Sequence, residues 1–285
     1  MVTDQDTDFF YFSGLLPSWY PVFFKGLERI LKRLGIRYGL LPLTRDIWCR
    51  DYMPIQIDKD NFVQFKYEPS YLFDSKKHRD TITNTTKVCQ AIGIKPLLSD
   101  IRLDGGNLIR SKTKVVLTSR VFSENPEYSK MALLAEIKRL LKVEKVIVVP
   151  ECPGDPFGHA DGMIRFLGDA KNKEQWLVND FTGESGSFCL LFNQAVANEL
   201  LKTQLIPYNP FNNVGNDAKG VYINYLQVGQ RVIYPLFGLK EDKLAHECFT
   251  SLFGSDSVGI RANEIAQEGG VLNCVSWNIL NTELA

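Results

Sequence analysis

Five residues of this chain could do covalent chemistry together, and four of them recur at nearly one interval. Asp51 and Asp104 are 53 positions apart, Asp104 and His159 are 55 apart, and Cys274 follows His159 by 115, about two such steps. Asp161 stands two residues after His159, a spacing that on an extended chain puts both side chains on one face. The set is a thiol, an imidazole and three carboxylates, the groups of nucleophilic and general acid–base catalysis. Glycines flank nearly every member: Gly105-Gly106, Gly158 and Gly162, Gly269-Gly270. A narrow ligand slot needs the tight turns and close backbone approach that glycine permits.

Taken singly, each residue has an ordinary structural reading. Asp104-Gly105-Gly106 is a common turn sequence. Asp51 could end a strand beside Arg50, and Cys274 could be a small buried apolar residue. His78 lies in a Lys/Arg-rich stretch and reads as solvated, and His246 reads as packed or surface-facing in mid-helix. The functional reading rests on the set and its common phase.

The elements that must position this set follow one order, strand, helix, strand, five times. Phe9–Phe12, Phe62–Phe65, Val115–Leu117, Trp176–Val178 and Val221–Tyr225 read as the first strands. Helices follow in which Phe24, Leu27, Ile30, Leu31 and Leu34, then Ile82, Cys89 and Ile92, then Leu133, Leu134, Ile137, Leu140 and Leu141 recur at helical spacing. Two more are expected near residues 195–202 and around Leu244, Cys248, Phe249 and Leu252. Gly35-Ile36-Arg37, Gly93-Ile94-Lys95 and Gly259-Ile260-Arg261 each precede a unit's second strand. The units run approximately 1–57, 58–112, 113–164, 165–217 and 218–285, within one domain over 1–285. A polar loop, 212–217, ends the fourth. Repeats of this size suit a closed array, in which equivalent positions converge on the axis.

Composition limits the alternatives. Lys plus Arg and Asp plus Glu both total 33, so a nucleic-acid or anionic-membrane binder, which needs a basic excess, is disfavoured. A hydrophobic fraction of 45% supports a large core in a chain of 285 residues. No run approaches a membrane span, and the acidic opening lacks the pattern of a secretory signal. Six cysteines without a C-x-x-C pair suit free thiols in a reducing cytoplasm. No phosphate loop, dinucleotide fingerprint, zinc motif or serine elbow is present.

In this order the residues resemble the guanidine-modifying superfamily with the pentein fold, most of all the agmatine deiminase/bacterial-type peptidylarginine deiminase family. The matching stretches are Trp48-Cys49-Arg50-Asp51, Asp104-Gly105-Gly106-Asn107, Gly158-His159-Ala160-Asp161 and Gly269-Gly270-Val271-Leu272-Asn273-Cys274. The resemblance implies an α/β fold, a five-bladed propeller of pseudo-fivefold ββαβ-type repeats around an axial active site. It implies Cys274 as nucleophile, His159 as general acid/base and Asp104 as its support. Asp51 and Asp161 would grip a guanidinium, and Trp48, Arg50 and Asn107 are expected on the substrate side. Three features depart from the family: Asp104 where many relatives carry Glu, Asn273 where agmatine deiminases commonly carry His, and a shorter chain without their opening tryptophan motif. The shorter Asp104 is expected to reach the imidazole differently or through water.

The activity implied is hydrolysis of a small cationic guanidine to a ureido compound and ammonia through a thiouronium, agmatine to N-carbamoylputrescine first among substrates. It needs no metal or organic cofactor. Arginine or peptidyl-arginine would need a cation for the carboxyl end, which Arg50 or Arg165 could supply. An amidinotransferase, or a non-catalytic relative that binds a guanidine or a protein, are the alternatives. Aromatic stretches at Phe9–Phe12 and Tyr67–Phe73 would permit a homodimer.

Overall fold

Each apolar run pairs with its neighbours to give one of five three-stranded sheets with the same internal order. The computed structural model describes residues 1–170, 173–199, 202–209 and 217–281. In the first sheet β1 (Phe9–Ser13) leads through helix α1 (Pro21–Arg33) to β2 (Arg37–Leu41). The unit recurs as β3 (Ile55–Gln56), β4 (Phe62–Lys66), α2 (Thr85–Ala91) and β5 (Leu97–Arg102). Next come β6 (Ile109–Arg110), β7 (Lys114–Thr118), α3 (Lys130–Leu141) and β8 (Lys145–Val149). The fourth is β9 (Ile164–Ala170), β10 (Lys173–Asn179), α4 (Gly186–Glu199) and β11 (Thr203–Ile206). The fifth is β12 (Leu226–Val228), β13 (Arg231–Leu236), α5 (Asp242–Phe253) and β14 (Ser257–Arg261). The final strand, β15 (Ser276–Ile279), completes the first sheet by pairing antiparallel with β1, Tyr11 opposite Trp277. In every sheet the leading strand is antiparallel to the central one, and the central strand is parallel to the outer one. Parallel neighbours need a long crossover, and the helix supplies it.

Local sequence explains the helices. Helix α3 is capped by Ser129, whose side chain accepts the Ala132 N–H, and it buries Leu133, Ile137, Leu140 and Leu141 while Met131 stays exposed. Each such buried side chain contributes roughly 1.5–3 kcal/mol. Helix α1 begins at Pro21 and ends where Gly35, at φ +63°, lets Ile36 N–H reach back to Leu31 O. Gly93 ends α2 in the same way, with Ile94 N–H on Cys89 O.

Several expected boundaries move. The run Val221–Tyr225 is not a strand: its residues are largely buried, but Val221 and Asn224 close turns, and the strand begins at Arg231. The third tripeptide, Gly259-Ile260-Arg261, lies within β14 and caps no helix. Helix α4 starts at Gly186, nine residues before the expected span. The units are also phased differently, because the short leading strands Ile55–Gln56 and Ile109–Arg110 open the next sheet. Of the polar loop, residues 212–216 lie outside the described residues. Phe9–Phe12 is buried in β1 and offers no outward aromatic face. Among the described residues no helix is long and apolar enough to cross a membrane.

Candidate active site

Five turns, one after each outer strand, carry the polar residues. After β2 comes the one-turn helix Cys49–Tyr52, steadied by Asp46, which accepts the Trp48 N–H at 3.0 Å. After β5 comes Asp104–Asn107, after β8 the stretch Asp155–Asp161, after β11 a segment reaching Asn224, and after β14 the turn that ends at Cys274.

The turns interlock through backbone that admits no side chain. A Cβ on Gly105 would lie 2.0 Å from Arg50 O, and one on Gly106 would lie 2.5 Å from Asp51 Oδ1 and 2.7 Å from His159 Nδ1. Gly106 instead donates its N–H to Asp51 Oδ1 at 3.0 Å. His159 lies between two carboxylates, with Nε2 3.0 Å from Asp104 Oδ2 and Nδ1 3.6 Å from Asp51 Oδ1. Asp104 therefore reaches the ring directly, without an intervening water. Burial opposes charge on the imidazole, but Asp51 and then Asp104 and Asp161 overcome it and raise the His159 pKa. Burial also raises the Asp51 pKa, with Asp104 and Asp161 adding to it and His159 opposing.

The Cys274 thiol is buried, with Sγ 3.6 Å from Asp161 Oδ2. Asn224 brackets it, donating Nδ2–H to Sγ at 3.2 Å and accepting the Asn273 N–H through Oδ1 at 2.9 Å. Asn273 donates its side-chain amide to Asp161 Oδ2 at 2.7 Å. Burial, then Asp161 and Asp51, push the thiol pKa well above its ordinary value. Cys274, His159, Asp161 and Asn224 share one cavity of about 130 Å³, walled further by Cys152, Phe157, Tyr208 and Val271.

The Porphyromonas-type peptidyl-arginine deiminase family model matches residues 25–279. The chain belongs to this family. A Photobacterium profundum protein named "Putative agmatine deiminase" is 23% identical over 275 residues, covering 83% of this chain and 75% of that one. A Listeria monocytogenes protein named "Putative agmatine deiminase 1" is 25% identical, over 64% of this chain and 59% of its own. This deiminase-family chain thus spans about six-tenths of some curated relatives' length. It also shares a fold with the solved agmatine deiminase of Enterococcus faecalis, at a TM-score of 0.75 and 17% identity, over 98% and 94% of the two chains.

Within this family member the expected residues divide. Cys274, His159 and Asp161 line the cavity, whereas Asp51 and Asp104 stand behind the imidazole. Arg50 and Arg165 turn away, which corrects the expectation that either meets a substrate carboxylate. Arg50 donates Nη2–H to Asn278 Oδ1 at 2.9 Å, and Arg165 is engaged by Asp4 Oδ2 at 2.7 Å and Tyr225 O at 3.0 Å. Asn107 is likewise structural in aim: its Oδ1 accepts the Thr118 N–H at 2.8 Å and ties its turn to β7. Trp48 packs against Gly270, where a Cβ would lie 2.5 Å from Cζ3, and it does not wall the cavity. Sequence reasoning missed Asn224 and Tyr71, whose hydroxyl donates to Asp104 Oδ2 at 2.7 Å. Asn224 did leave a signal: Asn107, Asn224 and Cys274 each stand two positions before a leading strand. Among the described residues no group of three or more His, Cys, Asp or Glu side chains is arranged to hold a metal ion.

Proposed function

We propose that this chain is a guanidine deiminase and that its five sheets are the blades of a ring whose axis is the site above. The observation that carries this reading is one cavity holding a thiol 3.6 Å from a carboxylate, beside an imidazole flanked by two more. A guanidinium is a planar cation that carboxylates hold by paired, charge-assisted hydrogen bonds. Asp161 takes the cation at the cavity wall, and Asp51 supports it from behind.

In the resting site the thiol keeps its proton, because burial and two anions disfavour thiolate. An entering cation reverses that balance and expels the thiol proton to solvent. The Cys274 thiolate then bonds to the guanidinium carbon. The His159 imidazolium gives its proton to one nitrogen, the C–N bond breaks, ammonia leaves and a thiouronium remains. His159, now neutral, takes a proton from water as the oxygen bonds to carbon. The C–S bond breaks, the ureido product leaves, and the hydroxyl proton passes to solvent, where it meets ammonia. Asp104 keeps the ring oriented for both transfers.

Agmatine is the leading substrate of this proposal. No Lys or Arg stands among the cavity's described lining residues, while Asp155 does, as does Asp217, which Lys219 pairs at 2.9 Å. That wall suits an amine-tailed guanidine better than one ending in carboxylate. An assay of ammonia and ureido product over agmatine, arginine, methylarginines and an arginyl peptide tests the reading. Agmatine is expected to give both products, and Cys274→Ala neither. Product from the Ala variant, or ammonia from no guanidine, overturns it, and ureido product replaced by a transferred amidine on added amine would make the chain an amidinotransferase.

A further inference from the structure

Tyr71 comes from outside the five turns. It sits on the 3₁₀ turn Ser70–Leu72, after β4, yet its hydroxyl ends beside the acid–base histidine. It donates to Asp104 Oδ2 at 2.7 Å, the same oxygen that lies 3.0 Å from His159 Nε2. The ring is fixed independently of that bond. It packs edge-on to Phe157 with centroids 5.1 Å apart, and its turn is anchored where Glu124 accepts the Ser70 N–H at 3.0 Å and hydroxyl at 2.6 Å.

We propose that Tyr71 is a positioning residue for His159, acting through Asp104: its hydroxyl fixes the carboxylate's orientation and moderates that carboxylate's hold on the imidazole proton. An oxygen that accepts two hydrogen bonds is less basic toward each, and a carboxylate held by a second donor cannot turn away from the ring. Carboxylates face both ring nitrogens of His159, and an acid that holds its proton too tightly transfers it slowly. The other charged or titratable groups around the residue are Asp51 at Nδ1, Asp155, whose Oδ2 accepts the His159 backbone N–H at 3.1 Å, Asp161 on the same turn, and Cys274 on the shared cavity. Behind it, Arg102, Arg120 and Glu124 wall a small second cavity that Tyr71, Asp104 and His159 complete, and Tyr67 lies near Tyr71. Substituting Tyr71 alone leaves all of these in place.

The catalytic consequence rests on the deiminase reading; the effect on His159 rests on geometry alone, so the test begins with the free protein. The chain has three histidines, so the His159 ring signals can be assigned by NMR against a His159→Asn variant and titrated through the neutral and alkaline range. Tyr71→Phe keeps the ring on Phe157 and is expected to raise the His159 pKa by roughly half a unit or more, about threefold in proton affinity. Asp104→Asn should lower it. Ser70→Ala, which loosens the turn's anchor to Glu124 but keeps the Tyr71 hydroxyl bond, should leave it unmoved. On agmatine, Tyr71→Phe should lower kcat roughly three- to tenfold with KM within about twofold. An unchanged or lowered His159 titration in Tyr71→Phe overturns the proposal, as does an equal shift in Ser70→Ala. A raised titration in a protein that turns over no guanidine upholds it and overturns the deiminase reading instead.

Discussion

Two buried charge clusters of opposite make-up meet at the Cys49–Tyr52 turn, which sends Asp51 into one and Arg50 into the other. The first sets one imidazole, His159, among Asp51, Asp104 and Asp161. The second sets one carboxylate, Asp4, among Arg50, Arg110 and Arg165. Asp4 Oδ1 accepts from Arg110 at 3.0 Å and Asn278 at 2.8 Å, and its Oδ2 accepts from Arg165 at 2.7 Å. Burial works against the Asp4 charge, but the three guanidiniums overcome it and hold its carboxyl well below the ordinary range. In the first cluster burial pushes Asp51 and Cys274 up instead. Both clusters are deep and densely charged, so neither property alone marks chemistry. The difference is that Asp4 and its arginines pair with fixed partners, whereas the thiol and Asp161 face an open cavity whose charge balance a cation would complete.

Removing the central member of each cluster should separate the two roles. His159→Ala should lower kcat per folded molecule by roughly 10²–10⁴-fold through lost proton transfer. An unaltered pH–rate profile in that variant would break the assignment. Asp4→Asn should act on stability. It leaves Arg110 and Arg165 buried without their counter-ion, and we expect a loss of about 3 kcal/mol by urea titration, the low end for such a pair because Asp4 retains 17% side-chain exposure. The sign follows from its lowered pKa. The contribution is present above the unfolded carboxyl pKa of about 4 and is lost as pH falls below it. Activity per folded molecule should change far less than in His159→Ala.

How much of this was legible differs within the same few residues. Asp51, Asp104, His159 and Cys274 stand out because their phase repeats, and α3 because its apolar residues keep one helical face. The opposite aims of Arg50 and Asp51 were not legible. Beside a strand end they read as a pair, but on a helical turn neighbours diverge by about 100°. Val221–Tyr225 misled because β-branched and aromatic residues fit strands; here burial, without a ladder partner, explains the composition, and Asn224 was hidden inside the misread run. Tyr71 carries no periodic signal, since its role depends on a loop folding back across the sequence to Asp104.

A smaller effect sharpens the contrast at the sulfur. Asp161 is the nearest charge to Cys274, so Asp161→Asn should lower the thiol pKa even as it weakens guanidine binding. Alkylation of Cys274 by iodoacetamide, followed by mass spectrometry at about pH 8, should quicken roughly tenfold, the consequence of about one unit of pKa. A slower reaction would mean that Asp161 helps form the thiolate, contrary to the proposed substrate-assisted step.

The last contrast compares two buried aspartates directly. Burial raises the Asp46 pKa to about 7, Asp104 adds to it, and the bond from Trp48 N–H only partly opposes. Between about pH 4 and pH 7 the folded chain therefore binds more protons here than the unfolded chain does, and stability falls as pH rises, opposite to Asp4. Asparagine can still accept the Trp48 N–H and does not titrate. Asp46→Asn should stay within about 1 kcal/mol of the parent near pH 3.5, where the parent aspartate is protonated in the folded and the unfolded chain alike. Above neutrality it should be the more stable protein, because the parent then buries a charge without a cationic partner. Urea titrations at the two pH values read this as a crossing of the curves. Parallel curves would mean that Asp46 stays ionised throughout, and that desolvation alone does not set the sign at an aspartate without a guanidinium.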